Sequence, residues 1–100
     1  MKVLTPGHRY TVTDYESGNE VQTIQFIHKK PGFSLPQTVS DGTTAEEVLA
    51  VLLDRMKFLQ STLPCAENAS VISKLEESLS LLMTRTAGRV KREVEDTQVA

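Results

Sequence analysis

Arg85, Arg89 and Arg92 stand four and three residues apart, with Lys91 beside them. On a helix this spacing lines the three guanidinium groups along one face. Such a row suits an anionic ligand such as phosphate, because each guanidinium can offer two parallel donors to a pair of oxygens. The plainer reading is a solvated helix end whose cations favour the C-terminal dipole and pair with Glu93, Glu95 or Asp96. On pattern alone that reading is the stronger. A second set is Tyr10, Phe26 and Lys29, near the N-terminus. Two aromatic faces and an ammonium suit a base and its phosphate. Again a plainer alternative stands beside it: two aromatics packed on a helix, with a surface lysine.

Other chemistry finds less support. No motif couples His8 or His28 to a serine or cysteine nucleophile. A metal pair is one reading of the two histidines, and strand-face histidines are the reading adopted. Cys65 is the single cysteine, so no internal disulfide can form, and it is read as a small residue filling a turn. The glycines of "PGF", "DGTT" and "AGR" lack the strand–glycine–helix context of a phosphate-binding loop. The expectation is a protein that is not an enzyme, with no catalytic residue, metal or cofactor.

The elements that must position these side chains fall into two grammars. Residues 1–42 hold four of the five glycines and three of the four prolines. They also hold two strand-like runs, "RYTVTDYE" and "VQTIQFIH", separated by the turn signal "SGN". The spacing predicts a β-hairpin, Arg9–Tyr15 against Val21–His28, followed by a loop over "KKPGFSLPQTVSDG". From residue 43 the pattern becomes helical. "TTAEEVL" offers capping boxes pairing Thr43 with Glu46 or Thr44 with Glu47. One helix is predicted from Thr44 to Leu63, with a stripe of Val48, Leu52, Met56, Leu59 and Leu63, broadened by Leu49 and Leu53. A second is predicted from Ala66 to Val94, striped by Ile72, Leu75, Leu79 and Leu82. The short link "PCAE" makes the two antiparallel neighbours. The fold class is mainly α (α+β), one domain over 1–100, with residues 8–42 as β-hairpin and loop and 43–97 as helical hairpin.

Apolar residues spill beyond both stripes, at Val51, Phe58, Val71, Leu81 and Met83. One partner helix cannot cover faces that wide, so a compact homo-oligomer is expected. The net charge of −2 argues against general affinity for DNA or for acidic membranes. The opening "MKVLTPGHRY" has no apolar core of a signal peptide, and no apolar run reaches membrane-spanning length, so an intracellular setting is expected.

The motifs "HRYTVTDYE", "QTIQFIHK", "DGTTAEEVLAVLLDRMKFLQ", "PCAENASVISKLEESL" and "RTAGRVKREVEDT", in this order, resemble a phage family. It is the helical-hairpin family of the second anti-CBASS protein and the first Thoeris anti-defence protein. The resemblance covers about residues 8–97 and is most specific in the helical blocks. It implies a nucleotide sponge, which binds cyclic nucleotide signals of bacterial anti-phage defence and withholds them from their effectors without catalysis. The implied ligands are cyclic dinucleotides, cyclic trinucleotides and cyclic ADP-ribose isomers. The implied assembly is a homohexamer with pockets between protomers, acting in the cytoplasm of the infected bacterial host.

Carried over residue by residue, the resemblance gives Tyr10 and Lys29 to one pocket. Lys30 is adjacent to Lys29. Asn68 of "PCAEN" and Arg85 and Arg89 of "RTAGR" belong to the other. The family's ending close to "RGVEGT" reads "REVEDT" here, with Glu93 and Asp96 at the glycine positions, which adds negative charge beside the arginines. The competing function is an oligomeric helical interaction module that docks on and inhibits a host protein. Asn68 lies 17 and 21 positions before the two arginines. At 1.5 Å per helical residue that is about 25–30 Å. One small ligand can touch both ends only where different protomers bring them together.

Overall fold

The helices follow most directly from the pattern. In a computed structural model, α1 spans Ala45–Thr62 and α2 spans Ala66–Val99. The structure describes residues 1–30 and 37–99, with side chains described through Lys91. α1 starts directly after Thr44, which puts that threonine at the N-cap position. Glu46 and Glu47 fall in the first turn, where carboxylates favour the dipole. Pro64 sits in the link between the helices. Cys65 then caps α2: the Asn68 N–H donates to Cys65 Sγ at 3.4 Å, and the Cys65 N–H donates to Gln60 Oε1 at 3.0 Å. α2 continues to Val99 instead of ending near Val94.

The two helices meet along a seam of half-buried residues. On α1 it includes Glu46, Leu49, Leu53, Met56 and Gln60; on α2, Asn68, Ile72, Leu75, Leu79 and Leu82. Spacings alternate between three and four, the repeat of helices packed side by side. This corrects the expected α1 stripe only in part, since Val48, Met56 and Leu59 are half-buried as expected. Leu52 is 44% exposed and Leu63 78% exposed, while Leu49 and Leu53 take the inner positions. The expected stripe stepped mostly by four and so drifted around the helix relative to a seam of period 3.5. The antiparallel arrangement brings Glu46, at the start of α1, to Arg85 and Thr86 late in α2.

The chain divides into two units, Met1–Thr44 and Ala45–Ala100. The first is richer in strands than the hairpin expected. β1 (Lys2–Thr5), β2 (Arg9–Val12) and β3 (Gln22–Gln25) form an antiparallel sheet in the order β1-β2-β3. β1 joins β2 through Thr5-Pro6-Gly7-His8, where the His8 N–H donates to the Thr5 carbonyl at 2.9 Å and Gly7 has φ 78°. Proline second and a left-handed glycine third are what a type II turn requires. The β2–β3 register pairs Arg9 with Gln25, Tyr10 with Ile24, Thr11 with Thr23 and Val12 with Gln22. Thr13–Tyr15 therefore lies outside the ladder, in a connection whose Gly18 has φ 71°.

The second expected strand does not run through to His28. At Phe26 and Ile27 the chain leaves the sheet and meets the returning segment, with the Thr43 N–H donating to the Gln25 carbonyl at 2.8 Å and the Ile27 N–H to the Thr43 carbonyl at 2.9 Å. Gly42 makes that approach possible: a Cβ there would lie 2.5 Å from the Gln25 carbonyl oxygen. β4 (His28–Lys30) and β5 (Gln37–Ser40) then pair antiparallel in a second sheet. β5 and the Lys29–Lys30 part of β4 were expected as loop, and His28 as the end of the hairpin strand. Their short Lys/Gln/Thr/Ser sequences carry little strand signal, and the pairing supplies what propensity does not. The part of that expected loop at residues 31–36 lies outside the described residues.

Candidate ligand-binding site

Arg85 and Arg89 occupy one face of α2, one turn apart, and both are exposed. Arg85 is paired to Glu46 Oε1 at 3.3 Å, and the Thr86 hydroxyl donates to the same oxygen at 3.4 Å. The expected carboxylate partners were Glu93, Glu95 and Asp96, whose side chains lie outside the described residues, as does that of Arg92. Glu46 and Thr86 were missed by the sequence reading. Their signal was the 3–4 spacing itself, since Glu46 extends the α1 seam and Thr86 stands four residues beyond Leu82. An ion pair this exposed contributes little, about 0–1 kcal/mol. An anion with more acceptor oxygens can therefore compete with Glu46 for Arg85.

Asn68 lies at the opposite end of the seam, half-buried beside the link. Among the described residues its side chain has no hydrogen-bond partner, although its backbone N–H is used in the cap. Gln60 shares this end, as does Phe58, which is 61% exposed in the last turns of α1. An open groove of about 480 Å³ runs along the hairpin, with Leu53, Leu79, Met83 and Ala87 in its wall. α2 is continuous from Asn68 to Arg89, so both ends of the expected helical pocket are present in one chain but do not meet there.

The N-terminal set is also dispersed. Tyr10 and Phe26 pack edge to face, with ring centroids 6.0 Å apart and planes at 84°. This is a favourable aromatic pair. Perpendicular rings leave no parallel slot between them for a base. Lys29 lies on β4, in register with Thr38, exposed and on a different sheet from Tyr10. His8 and His28 are brought together, stacked face to face at 3.7 Å with planes 8° apart.

This chain is similar to a phage anti-defence protein. It is 42% identical over 59 residues to Thoeris anti-defense 1 of Bacillus phage SBSphiJ7. The match takes in 58% of this chain and 42% of that protein, so the chain spans about two-fifths of the length of the curated relative it matches. No family model matches the chain.

Among the described residues no group of three or more His, Cys, Asp or Glu could hold a metal ion. Nor is any helix among them long and apolar enough to cross a membrane. Arg89, Asn68 and Phe58 add guanidinium, amide and aromatic groups to the helical unit's accessible surface.

Proposed function

We propose that this protein is a phage immune-evasion sponge that binds cyclic nucleotide signals of bacterial defence and sequesters them unchanged in the host cytoplasm. The observation that carries this reading is the 42% identity over 59 residues to Thoeris anti-defense 1. The exposed arginine pair on α2 supports it, because guanidinium geometry suits phosphate. Cyclic ADP-ribose isomers are the first ligand class to test, followed by cyclic trinucleotides and cyclic dinucleotides, as the wider anti-CBASS resemblance implies.

The working unit in this reading is a homo-oligomer, with a hexamer as the proposed state. No described residue is buried in the single chain, and Val51, Phe58 and Leu81 are each more than 60% exposed. A folded chain of this length normally buries a core. Packing copies along the helical flank would supply one. It would also bring Asn68 of one protomer near Arg85 and Arg89 of another. Stacking and charge-assisted contacts from different chains then give a tight site that needs no catalytic group.

Calorimetry against the three ligand classes, with light scattering on the same sample, tests both halves. Submicromolar binding by a closed oligomer, with ligand recovered intact after heating, is the expected result. No binding by any class would sink the sponge reading. A monomer or dimer with its apolar flank free and no nucleotide affinity would instead favour a module that docks on a host protein.

A further inference from the structure

Behind the aromatic pair, on the other face of the three-stranded sheet, lies a small polar cavity. It is half open, holds about 200 Å³ and is lined by Thr5, His8, Arg9, Gln25, His28 and Ser40. Arg9 and Gln25 are cross-strand partners, and the two-residue strand period places them opposite Tyr10. All six side chains can donate a hydrogen bond, and none carries a carboxylate. We propose that this cavity binds a phosphate group, free or carried by a nucleotide. This inference does not rest on the sponge reading and concerns a different unit of the chain from Arg85 and Arg89.

Three observations carry it. The first is an unmet polar atom: His8 Nδ1 is buried and has no hydrogen-bond partner. Such atoms are few in folded proteins, and the residue that carries this one lines the cavity. The second is rigidity. The His8 backbone is held on both sides, its N–H donating to Thr5 and its carbonyl accepting from Phe26, while Gln25 Nε2 donates to the Asp41 carbonyl at 2.7 Å. The third is charge segregation. Arg9 lines the cavity, and Lys29 and Lys30 follow His28 on β4. The acids Asp14 and Glu20 are engaged at the far end of the β2–β3 pair, by Gln22 and Thr11. Asp41 is next to Ser40, but its Oδ1 accepts from the Gly42 N–H.

The geometry also decides the class of ligand. Imidazole lone pairs lie in the ring planes, and an ion bound by both rings must lie in both planes. Two nearly parallel planes 3.7 Å apart share no such point near the rings, so the stack does not form a metal pair. Donors supplied from a turn and five strands around one cavity suit a tetrahedral oxyanion better than a carboxylate, which offers only two oxygens. Arg9 supplies the fixed charge.

The test is a titration of the isotope-labelled full chain at constant pH, with chloride matching the ionic strength. Inorganic phosphate, adenosine 5′-monophosphate and adenosine form the three arms, read by the imidazole signals of His8 and His28. Saturable shifts of both rings with phosphate are expected, and Arg9→Gln should weaken them by about tenfold, as loss of one charged donor implies. Ser40→Ala keeps the cationic groups and should weaken binding less, so it remains informative if Arg9→Gln perturbs the sheet. Tighter binding of the monophosphate than of phosphate would make the natural ligand nucleotide-borne, and equal binding would make free phosphate sufficient. Adenosine binding as well as its monophosphate, no saturation by phosphate, or equal affinity in well-folded Arg9→Gln would overturn the proposal.

Discussion

The two ends of the helical seam are built from the same repeat and finished in different chemistry. Beside the link, the apolar ladder ends in Gln60 and Asn68, both neutral amides. At the open end it finishes in Glu46, met by Arg85 and Thr86. The leucines between them are interchangeable in kind, whereas the ends are not. A polar residue at a seam position costs stability and fixes register. It also leaves a directional group at a defined place. The difference separates a seam that serves structure along its length from two tips of unlike chemistry, an amide tip suited to hydrogen bonding and a tip where two arginines supply charge, and on the proposed function these tips are where a ligand is recognised.

The strongest way to break that contrast is to remove the cationic tip. Arg85→Ala combined with Arg89→Ala should lower affinity for the cognate cyclic nucleotide by about 100-fold or more, since each charged hydrogen bond contributes roughly 1.5–3 kcal/mol. Alanine is the best helix former, so circular dichroism should show helicity unchanged. Tyr10→Ala, in the other unit, should leave this affinity intact and affect only a ligand held by the β unit. Equal losses of every ligand in the two variants would show that there is one site and no division of labour.

The open end was only half legible in the sequence. The arginine row was visible because spacings of four and three declare a helical face without help from tertiary structure. Glu46 was visible as a capping carboxylate, but its pairing with Arg85, 39 positions away, depends on how far the antiparallel helix reaches back. The same holds for the seam: the leucines announce an amphipathic helix, yet whether Leu52 or Leu53 faces inward is set by the partner. In the β unit the alternation of Val, Ile and Phe revealed β3, and "SGN" the turn before it. "TPGH" carried the signal for β1, a proline-glycine turn between two short extended runs, and went unread. β4 and β5 had no comparable signal. Lys29, Lys30 and Gln37 are strand residues only because the two segments pair. The stack of His8 on His28 is likewise a product of the strand's interruption at Phe26 and Ile27, which no periodicity foretells.

At the amide tip the question is whether Asn68 serves register or ligand. Asn68→Leu distinguishes them, because leucine fills the seam position without an amide. If Asn68 contacts ligand, nucleotide affinity should fall by roughly tenfold, the loss of about one good hydrogen bond. The thermal midpoint should hold or rise by a few degrees as an apolar side chain replaces the amide. A change of oligomeric state in light scattering with full affinity per site would instead assign Asn68 to register alone.

The smallest expected effect probes the cationic tip from its other side. Glu46→Gln keeps the shape of the side chain and removes the charge that holds Arg85. The exposed ion pair contributes at most about 1 kcal/mol, so the melting midpoint should move by only a few degrees. A free Arg85 no longer has to exchange a carboxylate for a phosphate, and affinity should rise by about two- to fivefold, the equivalent of releasing one surface pair. The gain should shrink as salt is added, because screening weakens the competing pair in the wild-type chain. A fall in affinity would mean that Glu46 positions Arg85 for the ligand instead of competing with it, so that the ion pair belongs to the site as a preorganising contact.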